Sequence, residues 1–322
     1  MALFIGVDIG GSKVLAAAVS AEGDVGRVAR RTTPGRRVEA RLVEDILSEA
    51  VAEVADGEPV AGVGIAAAGF VDADGESVLF APHLPWRDED VRARLADRWG
   101  TVVALDNDAN CAALAELRHG AAREVGRQAG DAVVLTLGTG IGGALILGGR
   151  LHRGRNGMAG EFGHMQVVPQ GAACECGGSG CWEQYCSGNA LVRDARERIG
   201  LEPTLLERLC GGNPDQLTGP MVTAAAEEGD LVARQAFASV GEWLGVGVAN
   251  LVAAFDPALV VVGGGVSAAG DRLLEPARTA LQRSLVGSPH RVVPPLVRAE
   301  LGPEAGVVGA AGLVRSAAAG LR

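Results

Sequence analysis

The sequence predicts an α/β protein of two lobes with a duplicated architecture, and three observations carry that expectation. Short β-rich apolar runs alternate with stretches of helical period along the chain. The order strand, glycine-rich turn with a hydroxyl, strand occurs over residues 7–17 and again over 133–147. The length, 322 residues, leaves room for roughly two domains.

Each element follows from local pattern. Residues 3–9 are an apolar strand ending at Gly10-Gly11, and residues 14–19 return as a second strand after Ser12-Lys13. Leu42, Val43, Ile46, Leu47, Ala50 and Val54 recur at helical spacing and predict a helix over 39–54. A buried-type strand over 60–67, an amphipathic helix over 88–99 and a strand over 101–105 follow. Asn107-Asp108 stands where that strand gives way to an Ala-rich helix over 109–117, and either residue can cap it. Polar residues and glycines over 118–130 mark the lobe boundary. Beyond it, strands over 133–137 and 143–147 flank Gly138-Thr139-Gly140. Residues 231–255 form one long helix stopped by Asp256-Pro257. A strand over 258–262 leads into Gly263-Gly264-Gly265, and an Ala-rich helix covers 304–319. The expected small lobe is 1–118 plus about 303–322, and the large lobe is 119–302, carrying a cysteine-rich loop.

Composition narrows the function classes. Hydrophobic residues make up 48% and charged residues 21%, as in an ordinary globular protein. Aromatics are only 3%, so the core must come from Ala, Val and Leu. A net charge of −10 opposes binding to nucleic acid or an anionic membrane. Arg30, Arg31, Arg36 and Arg37 are expected as solvated loop charges. The apolar stretch 133–149 is broken by Thr136, Thr139 and glycines, which suits two strands and not a membrane span. No basic leader precedes the first strand, so the cytoplasm is the expected compartment.

Four constellations carry chemistry. Asp8-Ile9-Gly10-Gly11-Ser12-Lys13 can bring backbone N–H groups against phosphate, with the carboxylate near Mg²⁺, or can be an ordinary hairpin turn. Gly138-Thr139-Gly140-Ile141-Gly142-Gly143 is its partner, and with Gly263-Gly264-Gly265 the set points to a nucleotide cradle. Neither turn has the Walker A spacing, and no Gly-x-Gly-x-x-Gly opens a helix at the start of the chain, which excludes those two nucleotide folds. His164 with Cys174, Cys176 and Cys181 offers three thiolates and an imidazole, a donor set for tetrahedral Zn²⁺. Three of the six cysteines fall within eight residues, which in a reducing compartment favours a metal over disulfides; Cys111, Cys186 and Cys210 are expected as small buried hydrophobes. Last, Glu161, Glu183 and Asn107-Asp108 offer carboxylates and an amide for a polyhydroxyl ligand, although singly they fit solvated charges and a helix cap.

These residues resemble the ROK family (repressors, open reading frames and kinases), and within it the bacterial glucokinases. The resemblance spans essentially the whole chain. It rests on Asp8-Ile9-Gly10-Gly11-Ser12-Lys13, Glu161-Phe162-Gly163-His164 and Cys174-x-Cys176-Gly177-x-x-Gly180-Cys181-x-Glu183. The segment from Gly64 to Asp72, with Gly69 and Phe70, looks like actinobacterial glucokinases. It implies the duplicated actin-like ATPase (ribonuclease H-like) fold, with two lobes and a cleft between them. It implies Asp108 as general base on the sugar 6-hydroxyl, with Gly69, Asn107, Asp108, Glu161, His164 and Glu183 holding the sugar. It implies a structural Zn²⁺ on His164, Cys174, Cys176 and Cys181, with His164 also facing the sugar through its second ring nitrogen. ATP would lie on Gly10, Gly11, Ser12, Lys13, Gly138, Thr139, Gly140, Gly263, Gly264 and Gly265, with Asp8 near Mg²⁺. Ser12 stands where the family more often has Thr, and both offer a hydroxyl. The resemblance also implies a homo-oligomer, a dimer or tetramer.

The expected activity is phosphorylation of glucose by Mg-ATP. Three alternatives differ from it: a kinase for fructose, allose or N-acetylmannosamine; a sugar-sensing repressor; and a kinase using polyphosphate. A repressor needs a DNA-binding domain ahead of the first turn, and that turn begins at residue 8. A polyphosphate donor would favour a strongly basic groove, which the charge balance does not suggest.

Overall fold

The computed structural model describes residues 2–320. Its elements run β1 (Leu3–Ile9), β2 (Lys13–Val19), β3 (Val25–Thr32), α1 (Ala40–Ala55), β4 (Val60–Ala67), β5 (Phe70–Val71), β6 (Val78–Phe80), β7 (Arg87–Glu89), α2 (Val91–Trp99), β8 (Val102–Asn107), α3 (Asp108–His119) and α4 (Arg123–Arg127). The chain continues through β9 (Ala132–Leu137), β10 (Ile141–Leu147), β11 (Arg150–His152), α5 (Gly188–Arg198), α6 (Leu205–Leu209), α7 (Gly219–Glu227), α8 (Leu231–Phe255), β12 (Leu259–Gly263), α9 (Asp271–Ser284), β13 (Leu296–Arg298) and α10 (Ala305–Ala318).

Two five-stranded sheets repeat one topology. The first has the order β3-β2-β1-β4-β8 and the second β11-β10-β9-β12-β13. In the first, β1 and β2 are antiparallel while β1, β4 and β8 run parallel. In the second, β10 and β11 are antiparallel, and β9, β12 and β13 run parallel. The chain divides into two compact units. The first holds residues up to Gly130, Ala144–Gly160 and the chain from Glu300 onward; the second holds Asp131–Gly143 and Glu161–Ala299. Residues 144–160, counted from sequence with the second lobe, thus pack with the first.

In the first unit, α1 covers one sheet face with Val43, Leu47, Ala50 and Val54 against Ile5, Val7, Ile9, Val63 and Ile65. The other face carries α10, and the scarcity of large side chains has a purpose there. A Cβ at Gly6 would collide with the carbonyl of Val307, and one at Gly64 with that of Ala310. Only glycine lets the helix backbone rest directly on the strands. Glu116, 1% exposed, ties α3 to the returning chain by accepting from the backbone N–H of Ala121, Glu300 and Leu301.

In the second unit, α8 is the one described helix long and apolar enough to cross a bilayer, and most of it is buried against protein. Gly241 and Gly245 leave no Cβ where α9 crosses, and Gly247 makes room for the Trp182 indole. That indole donates to the carbonyl of Trp243 at 2.8 Å, seating the cysteine loop on α8.

Two local expectations change. Arg30 and Arg31 lie on β3 and not in a loop, and Arg31 pairs with Glu53 at 2.6 Å. The predicted helix over 88–99 begins later, at Val91, because Arg87–Glu89 pairs with β6 as a strand.

Candidate active site

Register brings the acidic residues of the first unit to one end of the sheet. Asp8 on β1 stands opposite Ala66 on β4, and Ala66 stands opposite Asp106 on β8. These are the carboxyl ends of the parallel strands, where α/β folds place their ligands. Asn107 ends β8 and Asp108 opens α3.

Asn107 is the helix cap. Its Oδ1 accepts from the N–H of Ala109 at 2.8 Å and Asn110 at 3.1 Å, and its Nδ2 donates to the carbonyl of Gly69 at 3.0 Å. One amide therefore fixes the helix start and tethers it to the loop after β4. The Asp108 Oδ1 accepts from the N–H of its neighbour Ala109 at 2.9 Å. Burial raises the Asp108 carboxyl above the ordinary aspartate range, against the pull of nearby donors, chiefly the Ala109 N–H. Asp8 is pushed up to about 7, first by burial and then by the negative charge of Asp108, with Lys13 opposing. A Cβ at Gly306 would sit 2.8 Å from Oδ2 of Asp8, so α10 leaves just enough room for that carboxyl.

The turn after β1 is closed by Gly10 N–H donating to the carbonyl of Lys13 at 3.0 Å. Thr33 braces it from β3's end: its hydroxyl donates to the Gly10 carbonyl at 2.8 Å and its N–H to that of Ser12 at 3.1 Å. Gly11 lies under His83, whose Cβ would be 2.6 Å from a Cβ there. Gly11, Ser12 and Lys13 are exposed.

The second unit gathers the other predicted residues. In the turn after β9, Gly138 N–H donates to the Gly140 carbonyl at 3.0 Å, and the Gly138 carbonyl accepts from Gly188 N–H at 2.7 Å. Gly188 opens α5, so a helix start abuts the turn that carries Thr139. Gly263 pairs with Thr136, and Gly264, at φ 81°, packs on Leu137 where no side chain would fit. The two glycine segments therefore meet at one sheet end, followed by Gly265.

His164, Cys174, Cys176 and Cys181 converge. Their ligand atoms all lie within 4.8 Å of one another, with Sγ of Cys176 and Cys181 3.6 Å apart and Sγ of Cys174 3.8 Å from Nδ1 of His164. Bonds of ~2.3 Å to sulfur and ~2.0 Å to nitrogen in a tetrahedron put ligand atoms roughly 3.5–3.8 Å apart, so the donor set fits Zn²⁺. The two ring nitrogens of His164 face different groups. Nδ1 looks toward Cys174 and, at 3.7 Å, Glu183; Nε2 looks toward Glu161 at 3.9 Å. Glu183 also accepts from the Cys174 thiol at 3.1 Å and lies against Gly140, so the cysteine loop touches the second turn. Cys111, Cys186 and Cys210 are buried and free, as expected.

Known proteins are similar to this chain over nearly its whole length. The ROK family model matches residues 4–317. The chain belongs to the ROK family. Glucokinase of Streptomyces coelicolor is 41% identical over 321 residues, covering 98% of each chain. Glucokinase of Thermotoga maritima is 35% identical over 316 residues, covering 97% of this chain and 96% of that one. The crystal structure of a ROK family glucokinase from Streptomyces griseus in complex with glucose and AMPPNP superposes with a TM-score of 0.89 at 44% identity, covering 98% of this chain and 99% of that one. The duplicated sheets of this ROK protein are the actin-like ATPase fold that its sequence predicts.

Sequence alone missed Asp106, Asn110, Arg153, Thr33 and His83, which surround the predicted residues of the first unit. One signal was available: Asp106 is an acid at the end of an otherwise apolar strand.

Proposed function

We propose that this ROK protein is an ATP-dependent glucokinase, transferring the γ-phosphoryl group of Mg-ATP to the 6-hydroxyl of glucose. The observation that carries this reading is the carboxyl cluster at the first sheet's end, Asp108 beside Asp8 and the glycine turn, in a chain similar over its whole length to glucokinases.

Asp108 is the general base. Burial lifts its proton affinity toward the working pH, where a carboxylate can accept a proton as the oxygen–phosphorus bond forms. Gly69, Asn107, Glu161, His164 and Glu183 hold the other hydroxyls. Asn107 still has one N–H for this after its caps and tether are made. The backbone N–H groups of Gly10–Lys13, Gly138–Gly140 and Gly263–Gly265 hold the phosphates. Asp8 holds Mg²⁺, which neutralises charge on the phosphates when bound. Zn²⁺ on His164, Cys174, Cys176 and Cys181 is structural and fixes the ring of His164 and the carboxylate of Glu183. The transition state of phosphoryl transfer is loose, so these residues act by alignment and charge neutralisation. The same reading sets the enzyme in the cytoplasm, where its cysteines stay out of disulfides, as a dimer or tetramer.

The test is a panel of sugars with Mg-ATP, following ADP release and identifying the product by ³¹P NMR. Glucose is expected to give the highest kcat/KM, with glucose 6-phosphate as product. Preference for fructose, allose or N-acetylmannosamine overturns the substrate, and phosphorylation of none overturns the activity.

A further inference from the structure

We propose that Arg153 is a positioning residue for phosphoryl transfer, holding the turn that carries Asp108 by way of the Asp106 carboxylate. The proposal rests on the reading of Asp108 as base.

Arg153 follows β11 in the segment that packs with the first unit. Its Nε and Nη2 both donate to Oδ2 of Asp106, at 2.9 and 2.6 Å. Oδ1 of Asp106 accepts from the backbone N–H of Asn107 and from Nδ2 of Asn110, each at 2.8 Å. Four donors on two oxygens use the capacity of a carboxylate. The Asp106 side chain is only 3% exposed, so these hydrogen bonds stand in for the water it has lost. Arg153 supplies the one cation in that set.

The donors from α3 and its cap lie on both sides of Asp108. Asn107 precedes it, and Asn110 sits in the first helical turn after it. The Asn110 amide is informative. Its Oδ1 is buried without a hydrogen-bond partner among the described residues, while its Nδ2 meets Asp106. Asp106 alone therefore fixes the orientation of that amide. The frame around Asp108 is pinned to a carboxylate, and among the described residues the carboxylate is pinned from outside β8 and α3 only by Arg153.

Charge gives Arg153 a second part. Asp8 and Asp106 stand on either side of Ala66 at one end of the sheet, and Asp108 opens the helix that follows β8. Without the guanidinium, a third carboxylate would stand uncompensated beside the other two. The junction would then move to bring Asp106 other donors or water. Displacement of a reacting group by about 1 Å costs on the order of 100-fold in rate.

The experiment compares Arg153→Ala, Arg153→Lys and wild type, each also in the Asp108→Asn background, by steady-state kinetics with glucose and Mg-ATP. Arg153→Ala is expected to lower kcat roughly 10- to 100-fold while both KM values stay within about threefold. Lysine, lacking the fork, is expected to recover only part of the rate. Millimolar methylguanidinium is expected to restore part of the alanine variant's kcat and to leave wild type unchanged. In the Asp108→Asn background the alanine change is expected to cost less than about twofold, because residues acting through one group are not additive. Unchanged kcat in Arg153→Ala, or an equal loss in both backgrounds, overturns the proposal. If the alanine protein does not fold, the lysine variant decides: wild-type kcat there overturns it. Wild-type turnover in Asp108→Asn alone would instead remove Asp108 as base, a failure of the functional reading and not of the Arg153 frame.

Discussion

Replacing Asp8 by Asn should make the ligand-free protein more stable at neutral pH while damaging its activity. Asp8 is held at about 7 in the folded protein against an ordinary 3.8, so it differs by about three units from the unfolded chain. At ~1.4 kcal/mol per unit this is at most about 4 kcal/mol, a ceiling because the side chain keeps some exposure. The sign follows from proton counts. Between pH 4 and 7 the folded protein keeps a proton that the unfolded chain has released, so wild type loses stability as pH rises through this window. Above 7 the loss is complete, and below 4 it vanishes. Asn cannot titrate and escapes it. Thermal unfolding of both proteins without Mg²⁺ or nucleotide should therefore give nearly equal Tm near pH 4 and a gap of several degrees in favour of Asp8→Asn at pH 8. A gap that does not widen with pH, or a less stable variant at pH 8, would refute the argument that burial and the charge of Asp108 strain this carboxylate.

Two further outcomes follow from the packing. Cys174→Ala and Cys181→Ala should lose bound zinc, measured by atomic absorption, and weaken glucose binding by about tenfold or more; because Glu183 touches Gly140, hydrogen exchange of Gly138–Gly140 should also quicken. Gly6→Ala would drive a methyl into the carbonyl of Val307 and should lower stability by about 1–3 kcal/mol, read as a fall in Tm with bound zinc unchanged.

The sequence disclosed most where a chemical need is met by neighbours in the chain. Cys174, Cys176 and Cys181 lie within eight residues, and their convergence with His164 was legible because few other uses explain such crowding. Asp8 lies near a strand end before the glycine turn and Asp108 at a helix start. Position alone allowed a hairpin turn and a helix cap, and their expected roles came from the family resemblance. Arg153 was not legible, for it meets Asp106 across 47 residues through a hairpin whose packing no local pattern reveals. Strand β3 was hidden for another reason. It is an edge strand with Arg27, Arg30 and Arg31 on it, and charge of that kind keeps an edge from pairing but erases the apolar alternation that announces a strand. The double use of Asn107 was half visible: its capping was read from its place before the helix, but the tether to Gly69 is a tertiary contact.

The most direct test of the account is the rate of phosphoryl transfer in Asp108→Asn, measured in a single turnover with glucose and Mg-ATP beside glucose affinity by calorimetry. The expected result is a rate at least ~100-fold below wild type with glucose affinity nearly intact, as for loss of a general base. Transfer at the wild-type rate, or a loss explained wholly by weaker glucose binding, would contradict it.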